Sequence, residues 1–328
     1  DNIERLSSPH VRDGLIRLNS AERDLPLDDM IWIKFLDSLK ETDVRYYPDV
    51  DKAKQLIASH EDVAADQLTL GAGSDQVIRN IFETFVNTMQ EVVTTDPCFP
   101  MYNVYGKIYD VIIKAVPYKN QVKDVQGIIN AINDRTSLVI ISNPNSPVGD
   151  SFTHDELLSI LSKAAQYDAI VVVDEAYIEF ATDVTSMVEH TMWQPNLIVL
   201  KTFSKAVGAA GIRFGYGIST PLITSKLSKV KSMYEITGPT IRWVEVVLSN
   251  YNEIAFYCAK VKMNRDMLIA SLKHRYEVIP SQCNWIHTTK MDYPDDIVTR
   301  TCKLPWSDKE WTRLCIPAST ETLLRIAQ

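Results

Sequence analysis

The fold of this chain is decided by residues 169–177, AIVVVDEAY, in which a continuous apolar run ends in an acidic residue. A short β-branched run of this kind predicts a strand of a parallel sheet that is buried on both faces. Asp174 then lies at the carboxyl end of the strand, the edge of an open α/β sheet where ligands bind. A carboxylate in such a place needs a partner, because burying an unpaired charge is costly.

Six more short apolar runs flank this strand, and longer amphipathic stretches separate them. The runs are residues 67–70, 91–95, 111–115, 137–142, 196–200 and 214–218. Apolar spacing predicts helices over 75–88 and 155–165, with Ser74 capping the first and Thr153 or His154 the second. The alternation predicts an α/β fold with a mostly parallel seven-stranded sheet covered by helices.

The C-terminal third predicts a smaller α+β domain. One long helical region covers 240–273 after a turn or hinge at Gly238-Pro239, and strands follow at 276–279, 284–288 and 312–316. We expect a large domain over residues 40–230. The small domain then combines residues 1–39 with 231–328.

Composition favours a cytoplasmic protein that binds small molecules. The net charge of -8 argues against nucleic acid as a partner, and the longest apolar runs are too short to span a membrane. Five cysteines with no CxxC pairing indicate neither a disulfide framework nor a metal site. Residues 1–5 lack the apolar core of a signal peptide.

Two motifs supply an amine and an anion clamp that complement Asp174. Lys205 ends LKTFSK at 200–205, and Arg213 is central in GIRFG at 211–215. Pyridoxal 5'-phosphate (PLP) needs a lysine for its aldehyde, a guanidinium for its phosphate and a carboxylate for its ring nitrogen. Taken without the other motifs, Lys205 is best interpreted as a solvated surface charge and Asp174 as the cap of the next helix. Their combination, with the hydroxyls of Thr202 and Ser204, favours the cofactor.

The segment LGAGSD at 70–75 follows a strand and opens a helix. The amides of Gly73, Ser74 and Asp75 are therefore placed to hold a phosphate at the helix N-terminus. The segment also approaches the GxGxxG dinucleotide fingerprint. That pattern fails at Gln76, where close helix packing needs Gly or Ala, so a nicotinamide cofactor is disfavoured.

Two further loops follow apolar strands. NPNSPVG at 143–149 is a rigid polar loop suited to holding side chains over a cofactor, although a plain turn explains it equally well. DPCFPMY at 96–102 offers Phe99 or Tyr102 for stacking on a planar ring. Taken singly, these aromatics are more often core residues.

Together these motifs resemble those of fold-type I PLP-dependent aminotransferases, and within them the histidinol-phosphate aminotransferase branch. The matching segments occur in order at 18–19, 45–49, 71–75, 96–102, 143–149, 174–180, 204–215 and 312–316. The resemblance implies that Lys205 is the Schiff-base lysine and proton shuttle. It also implies that Asp174 holds the ring nitrogen, Tyr177 holds the ring oxygen and Phe99 stacks on the ring. The implied phosphate ligands are Gly73, Ser74, Asp75, Thr202, Ser204 and Arg213.

The resemblance also implies substrate residues and a partner subunit. Arg313 matches the arginine that binds the substrate carboxylate, Arg300 matches a second anion-binding arginine, and Asn19 lies in the first matching segment. For Arg300, a solvated strand-end charge is an equal alternative. Tyr47 matches a tyrosine that reaches the neighbouring subunit's phosphate, which implies a homodimer with shared active sites.

Two features depart from the family pattern. Ser146 replaces the asparagine that contacts the ring oxygen, so this contact is lost, bridged by water or supplied by Asn145. Residues 284–300 are also short for a full strand, helix and strand. Both departures affect the substrate end of the site.

The resemblance predicts transfer of an amino group between a phosphorylated or carboxylated small amino compound and a 2-oxo acid. A PLP-dependent decarboxylase of phosphoserine or phosphothreonine type is the nearest alternative, because it uses the same cofactor residues. A PLP-binding regulator without catalysis is a third possibility, and a nicotinamide dehydrogenase a fourth.

Overall fold

A seven-stranded sheet forms the centre of the computed structural model, which describes residues 14–327. The segment that the signal-peptide prediction concerns lies outside the described residues. The strands are β1 (Ile16–Arg17), β2 (Leu68–Gly71), β3 (Glu91–Asp96), β4 (Ile112–Pro117), β5 (Thr136–Ser142), β6 (Ile170–Asp174), β7 (Leu197–Thr202), β8 (Gly215–Ser219), β9 (Val278–Ile279), β10 (Trp285–Thr289), β11 (Ile297–Val298), β12 (Arg300–Cys302) and β13 (Trp311–Cys315).

The large sheet has the order β2-β8-β7-β6-β5-β3-β4. Strands β3 to β7 are parallel to their neighbours among themselves, and only β8 runs antiparallel to β2 and β7. All seven sequence-predicted strands are found, so the mostly parallel α/β sheet is confirmed. Strand β6 is buried on both sides: Val171 and Val173 belong to one apolar cluster, and Val172 belongs to the other.

Helices cover both faces of this sheet and build the rest of the chain. They are α1 (Asp29–Ser38), α2 (Glu41–Arg45), α3 (Val50–Glu61), α4 (Ser74–Phe85), α5 (Pro100–Ile108), α6 (Val125–Ala131), α7 (His154–Ala165), α8 (Pro221–Leu227), α9 (Gly238–Leu248), α10 (Tyr251–Leu272) and α11 (Thr320–Ala327). Thr153 caps α7 because its hydroxyl accepts a hydrogen bond from the Glu156 amide, and the Thr153 amide donates in turn to the Glu156 carboxylate. Among the described residues, no helix is both long and apolar enough to cross a membrane.

A second sheet lies in the C-terminal third. Strands β12, β13, β10 and β9 form it in that order, all antiparallel. Strand β1 pairs in parallel with β11 and so ties the N-terminal segment to this region. The chain from 290 to 296 contains no helix, as the short sequence between β10 and β11 predicts. We keep the division into a large domain of residues 40–230 and a small domain of residues 1–39 and 231–328 as a proposal. The presence of two separate sheets supports it.

Three local predictions are wrong. Gly73, not Ser74, is the N-cap of α4, and its φ of +85° is one that glycine adopts without strain. Gly238 and Pro239 do not form a hinge but open α9, where proline at the first turn loses no hydrogen bond. The predicted single helix over 240–273 is two helices, because Asn250 turns its side-chain amide back to the Val246 carbonyl and closes α9.

The start of α9 packs directly on α2. Arg242 holds Asp43 with two hydrogen bonds of 2.9 and 3.0 Å, which brings the two backbones together. A Cβ atom at Gly238 would overlap the carbonyl oxygen of Asp43. Only glycine fits at this contact, so residue 238 fixes how closely the two helices approach.

We expect Gly238→Ala to destabilise the protein by about 1–3 kcal/mol, because the added methyl group must push α2 from α9. Gly211→Ala is the matched control, since a Cβ there has no neighbour within 4 Å. Urea denaturation followed by circular dichroism measures both. Equal stability of the two variants would contradict the close contact.

Candidate functional site

A cavity of about 210 Å³ lies at the carboxyl ends of β5, β6 and β7, beside the N-terminus of α4. Eleven of the predicted site residues line it: Gly73, Ser74, Asp75, Phe99, Ser146, Asp174, Tyr177, Thr202, Ser204, Lys205 and Arg213. The topology explains this, because parallel strands end at one edge of a sheet. The other predicted residues lie elsewhere and are described below.

Asp174 is a buried carboxylate with two hydrogen bonds. Its Oδ2 accepts from the Tyr102 hydroxyl at 2.9 Å, and its Oδ1 accepts from the Ala176 amide at 3.2 Å. Burial raises the pKa of Asp174 to about 6, and the two hydrogen bonds and the positive charge of Lys205 counteract this rise. The site therefore favours a cationic partner for this carboxylate.

Lys205 follows the turn after β7. Thr202 orders that turn, because its hydroxyl accepts from the Ser204 amide at 3.2 Å and lies 3.1 Å from the Ser204 hydroxyl. The Lys205 Nζ lies 5.4 Å from the centroid of the Tyr177 ring and 3.5 Å from the Ser20 carbonyl oxygen. The amine thus faces the cavity above Tyr177.

The other end of the cavity is electropositive. Arg213, with φ of +55°, donates to the carbonyl oxygens of Ala72 and Ala210 at 3.2 and 3.1 Å, so its guanidinium lies beside the start of α4. A Cβ at Gly73 would come within 2.6 Å of the Arg213 Nη2. A helix N-terminus carries a partial positive charge, so a cation placed here favours a bound anion such as phosphate. The hydroxyl of Ser74 lines the same end.

The two polar loops contribute differently from each other. Phe99 lines the cavity and meets Tyr102 edge to face at 5.5 Å, whereas Tyr102 is buried and bonds Asp174 instead of stacking. Ser146 lines the cavity. Asn145 does not, because its amide donates to the Thr95 hydroxyl at 3.0 Å and its oxygen accepts from the Val148 amide at 3.2 Å. The structure therefore does not place Asn145 as a substitute for the family asparagine.

A pair of arginines lies on the small sheet. Arg300 and Arg313 are directly opposite on β12 and β13, and Arg313 is likewise opposite His287 on β10. Arg313 is buried, lies 5.1 Å from the Trp285 ring centroid and donates to the Asn19 carbonyl oxygen at 2.8 Å. It is thus the Asn19 backbone, not its side chain, that the structure places against Arg313.

Electrostatics in this region favour an anion. Burial, followed by repulsion from Arg313, lowers the pKa of Arg300. Burial and Arg313 lower the pKa of His287 to about 3, so this imidazole stays neutral. Opposed like charges on neighbouring strands are destabilising unless an anion separates them.

Tyr47 does not reach the cavity of its own chain. Its ring stacks on Tyr234 with centroids 4.3 Å apart, and 79% of the residue is exposed. A second groove contains both rings, between α2 and the start of α9. This placement leaves Tyr47 available to a neighbouring molecule.

The family model for aminotransferase class I and II matches residues 15–327. The chain belongs to this aminotransferase family. The histidinol-phosphate aminotransferase 2 of Haemophilus influenzae (strain 86-028NP) is 32% identical over 304 residues, which cover 87% of this chain and 78% of that protein. The histidinol-phosphate aminotransferase 1 of Idiomarina loihiensis is 32% identical over 241 residues, covering 72% and 65%.

Solved structures share the fold of this aminotransferase. The histidinol-phosphate aminotransferase from Sinorhizobium meliloti, in complex with pyridoxal-5'-phosphate, has a TM-score of 0.84 at 21% identity and covers 95% of this chain and 88% of that one. The enzyme from Clostridium acetobutylicum has a TM-score of 0.83 at 23% identity, covering 95% and 98%. The fold is therefore PLP-dependent transferase fold type I, as the sequence motifs predicted.

Family membership makes the protein a PLP-dependent aminotransferase, and the cavity fits this cofactor. Lys205 offers an amine, Asp174 a buried carboxylate that favours a cation, and Arg213 with the α4 N-terminus an anion site. The glycine at position 73 leaves the space between guanidinium and helix open, which a Cβ would fill. Charge and shape of the cavity thus complement a cationic ring at one end and a phosphate at the other.

Sequence reasoning missed several residues at the two sites. Ser20, Glu22 and Ser142 line the cavity, and His287 lies beside Arg313. Ser142 ends β5 in register with Asp174, so recognising that both strands end together would have found it. Ser20 and Glu22 carry no local signal, because contacts with distant residues position their segment, including the bonds from Arg313 to the Asn19 carbonyl and from Asn284 to the Ala21 carbonyl.

The pKa of Asp174 predicts how stability depends on pH. This pKa, about 6, lies above the ordinary aspartate value near 4, so the folded state holds the proton more tightly than the unfolded chain. The resulting stabilisation is present in acid and is lost as the pH rises from about 4 to about 6. Tyr102→Phe removes a hydrogen bond to the ionised carboxylate and should therefore raise the pKa of Asp174 further. The stability of this variant should keep falling for about one pH unit beyond that of the wild type.

Urea denaturation of the cofactor-free protein between pH 4 and 7.5 measures this effect. Glu175 and Glu179, whose pKa values burial also raises, contribute equally to wild type and variant and cancel in the comparison. Tyr109→Phe, at an exposed hydroxyl, is the control. Identical pH profiles for Tyr102→Phe and wild type would show that the phenol does not influence Asp174.

Proposed function

We propose that this aminotransferase moves an amino group between a small phosphorylated or carboxylated amino compound and a 2-oxo acid, with histidinol phosphate as the first amino compound to test. The observation that carries the proposal is the single cavity that the Lys205 amine, the buried Asp174 carboxylate and the Arg213 guanidinium line together. The names of the relatives supply the candidate substrate. The Lys205, Asp174 and Arg213 roles follow the family resemblance and remain part of the proposal.

PLP, when bound, supplies an electron sink that stabilises negative charge at the carbon that loses its proton. Asp174 would keep the ring nitrogen charged, which strengthens that sink. Lys205 would hold the aldehyde and, once free, move a proton between the substrate carbon and the cofactor. Tyr177, beneath the Lys205 amine, would hold the ring oxygen, and Phe99 would stack on the ring.

The phosphate would lie among Arg213, the hydroxyls of Ser74, Thr202 and Ser204, and the amides at the start of α4. Gly73 and Asp75 supply two of these amides, and Ser74 a third. Ser146, shorter than the family asparagine, would reach the ring oxygen through a water molecule. Asn145 is left out of our proposed set because its side chain bonds the Thr95 hydroxyl on β3 and the Val148 amide in its own loop.

The arginine pair favours a substrate with a strongly anionic group. Arg313 is suited to a carboxylate or phosphate because a guanidinium offers parallel donors. Arg300 adds a second charge opposite it, with His287 neutral alongside. A dianionic phosphate would balance both cations, whereas a single carboxylate balances one. Asn19 would fix the orientation of Arg313 through its backbone carbonyl.

Amino-group transfer is favoured over decarboxylation. The relatives that match most of this chain are aminotransferases, and their names favour this reaction over loss of carbon dioxide from phosphoserine or phosphothreonine. The regulator and dehydrogenase alternatives lose support for the same reason.

We also propose a homodimer with shared sites and a cytoplasmic location. Exposed Tyr47 does not contact its own cavity, which supports the role of reaching the phosphate of a second subunit. All five cysteines are free thiols, which suits a reducing compartment.

Histidinol phosphate and a 2-oxo acid should give the matching amino acid without release of carbon dioxide. We expect Lys205→Ala to lower this rate by at least about 10³-fold, because no other described amine faces the cavity. Chromatography of the amino acid formed, with a carbon dioxide assay in parallel, measures both outcomes. Histidinol phosphate has no carboxyl group to lose, so phosphothreonine is tested in parallel. Carbon dioxide release from phosphothreonine, with no amino acid formed from histidinol phosphate and the 2-oxo acid, would establish the decarboxylase instead.

A mixture of Lys205→Ala and Tyr47→Ala chains tests the shared site. At a cofactor concentration that leaves Tyr47→Ala inactive, each parent should be inactive alone. Random mixing gives about half mixed dimers, and in each of these one of the two sites combines an intact Lys205 with an intact Tyr47 from the other chain. Roughly a quarter of the wild-type activity should therefore return. The control is a mixture of Lys205→Ala chains with Phe256→Ala chains, which are altered at an exposed ring. No restoration would show that Tyr47 does not act across subunits.

A further inference from the structure

Three side chains that the proposed reaction does not use meet outside the cofactor cavity. His154 is the first residue of α7, and Glu189 and His190 belong to the 3₁₀ helix Val188–Met192. The Nε2 of His190 lies 3.3 Å from the Nδ1 of His154 and 3.5 Å from the Oε1 of Glu189. The three donor atoms all lie within 4.8 Å of one another.

The surroundings of His154 suit one tautomer for metal binding. Its Nε2 lies 3.1 Å from the carbonyl oxygen of Thr185, which only accepts hydrogen bonds, and 3.0 Å from the Thr185 hydroxyl, which can accept or donate. A hydrogen on Nε2 satisfies both contacts and leaves the Nδ1 lone pair, 3.3 Å from His190 Nε2, for an ion. Imidazoles that bind a metal typically donate their other N–H to a backbone carbonyl in this way.

The spacing matches tetrahedral coordination. With metal–ligand bonds of about 2.0–2.1 Å, ligand atoms in a tetrahedron are about 3.3–3.4 Å apart, whereas neighbours in an octahedron are about 2.9–3.0 Å apart. The distances of 3.3 and 3.5 Å fit the tetrahedron. The Glu189 side chain is 74% exposed, so it is free to rotate towards both imidazoles.

We propose that His154, Glu189 and His190 bind one divalent transition-metal ion, with Zn²⁺ as the favoured ion and water as its fourth ligand. Two imidazoles with one carboxylate suit Zn²⁺, and exposure of Glu189 leaves room for the water. The cysteine pattern predicted no metal site, and these ligands escape a cysteine search because their clustering comes from packing of α7 on a distant 3₁₀ helix.

The site has a structural consequence for the segment before the 3₁₀ helix. In that segment, the Ser186 hydroxyl and the Met187 amide donate to the buried Glu175 at 2.5 and 2.6 Å. Glu175 directly follows Asp174 in the sequence. An ion that binds both His154 and His190 would hold this segment against α7. It would thereby stabilise the two hydrogen bonds that Ser186 and Met187 donate to Glu175. The ion's role is structural, because none of the three metal-binding residues lines the cofactor cavity.

Titration of metal-free holoenzyme with ZnCl₂ by calorimetry tests the site. We expect one ion per chain, and at least a 100-fold loss of affinity in His154→Ala and in His190→Ala, since even outer-shell changes cost about 10–100-fold. Glu189→Gln should lose less, about 10-fold. His274→Ala, at an exposed histidine outside the cluster, should bind like wild type and accounts for adventitious binding.

Two further measurements distinguish a metal site from a hydrogen bond between the two imidazoles. Co²⁺ should give wild type and His274→Ala the intense visible bands of tetrahedral coordination, and His190→Ala should lack them. Zn²⁺ should raise the melting temperature of wild type but not that of His154→Ala. Wild-type binding that survives both histidine substitutions, or no binding at all, would overturn the proposal whatever the enzyme's substrate.

Discussion

The arrangement of the candidate site depends on one constraint, which is that the Asp174 carboxylate is held at the buried end of β6. Isolating a charge in a protein interior costs several kcal/mol, and Asp174 offsets part of this through the Tyr102 hydroxyl and the Ala176 amide. Its pKa still rises to about 6, so the carboxylate is ready to pair with a cation. The surrounding sheet makes this possible, because a strand packed on both faces has little freedom to turn its end towards water.

Opposite charges line the cavity and would orient a dipolar cofactor as we propose. Asp174 offers a carboxylate, and Arg213 lies beside the α4 N-terminus and offers a positive charge. Close backbone contacts keep this positive end in place, since Gly215 lies against Ser74 where any side chain would overlap. Orientation thus comes from rigid elements, which hold charged groups more accurately than mobile loops do.

The substrate end follows a different principle. Strands β10, β12 and β13 place the neutral His287 and the charged Arg300 and Arg313 side by side, and a bound anion would relieve the repulsion between the two arginines. Family membership establishes the aminotransferase activity, and this arrangement supports the proposed phosphorylated substrate. Tyr47 is exposed outside its own cavity, and in the homodimer that we propose it would reach the site of the second chain.

Local sequence alone determined the seven strands, the helices α4 and α7 and most of the cofactor cavity. Apolar periodicity fixes each element, and parallel strands necessarily bring their carboxyl ends to one edge. Tertiary structure alone decided that Tyr102 bonds Asp174, that Asn145 bonds Thr95 and that Ser20 lines the cavity. It also decided the break between α9 and α10 and the meeting of His154 with His190. These contacts join residues distant in sequence or depend on competition for the same backbone groups, and no local pattern records either.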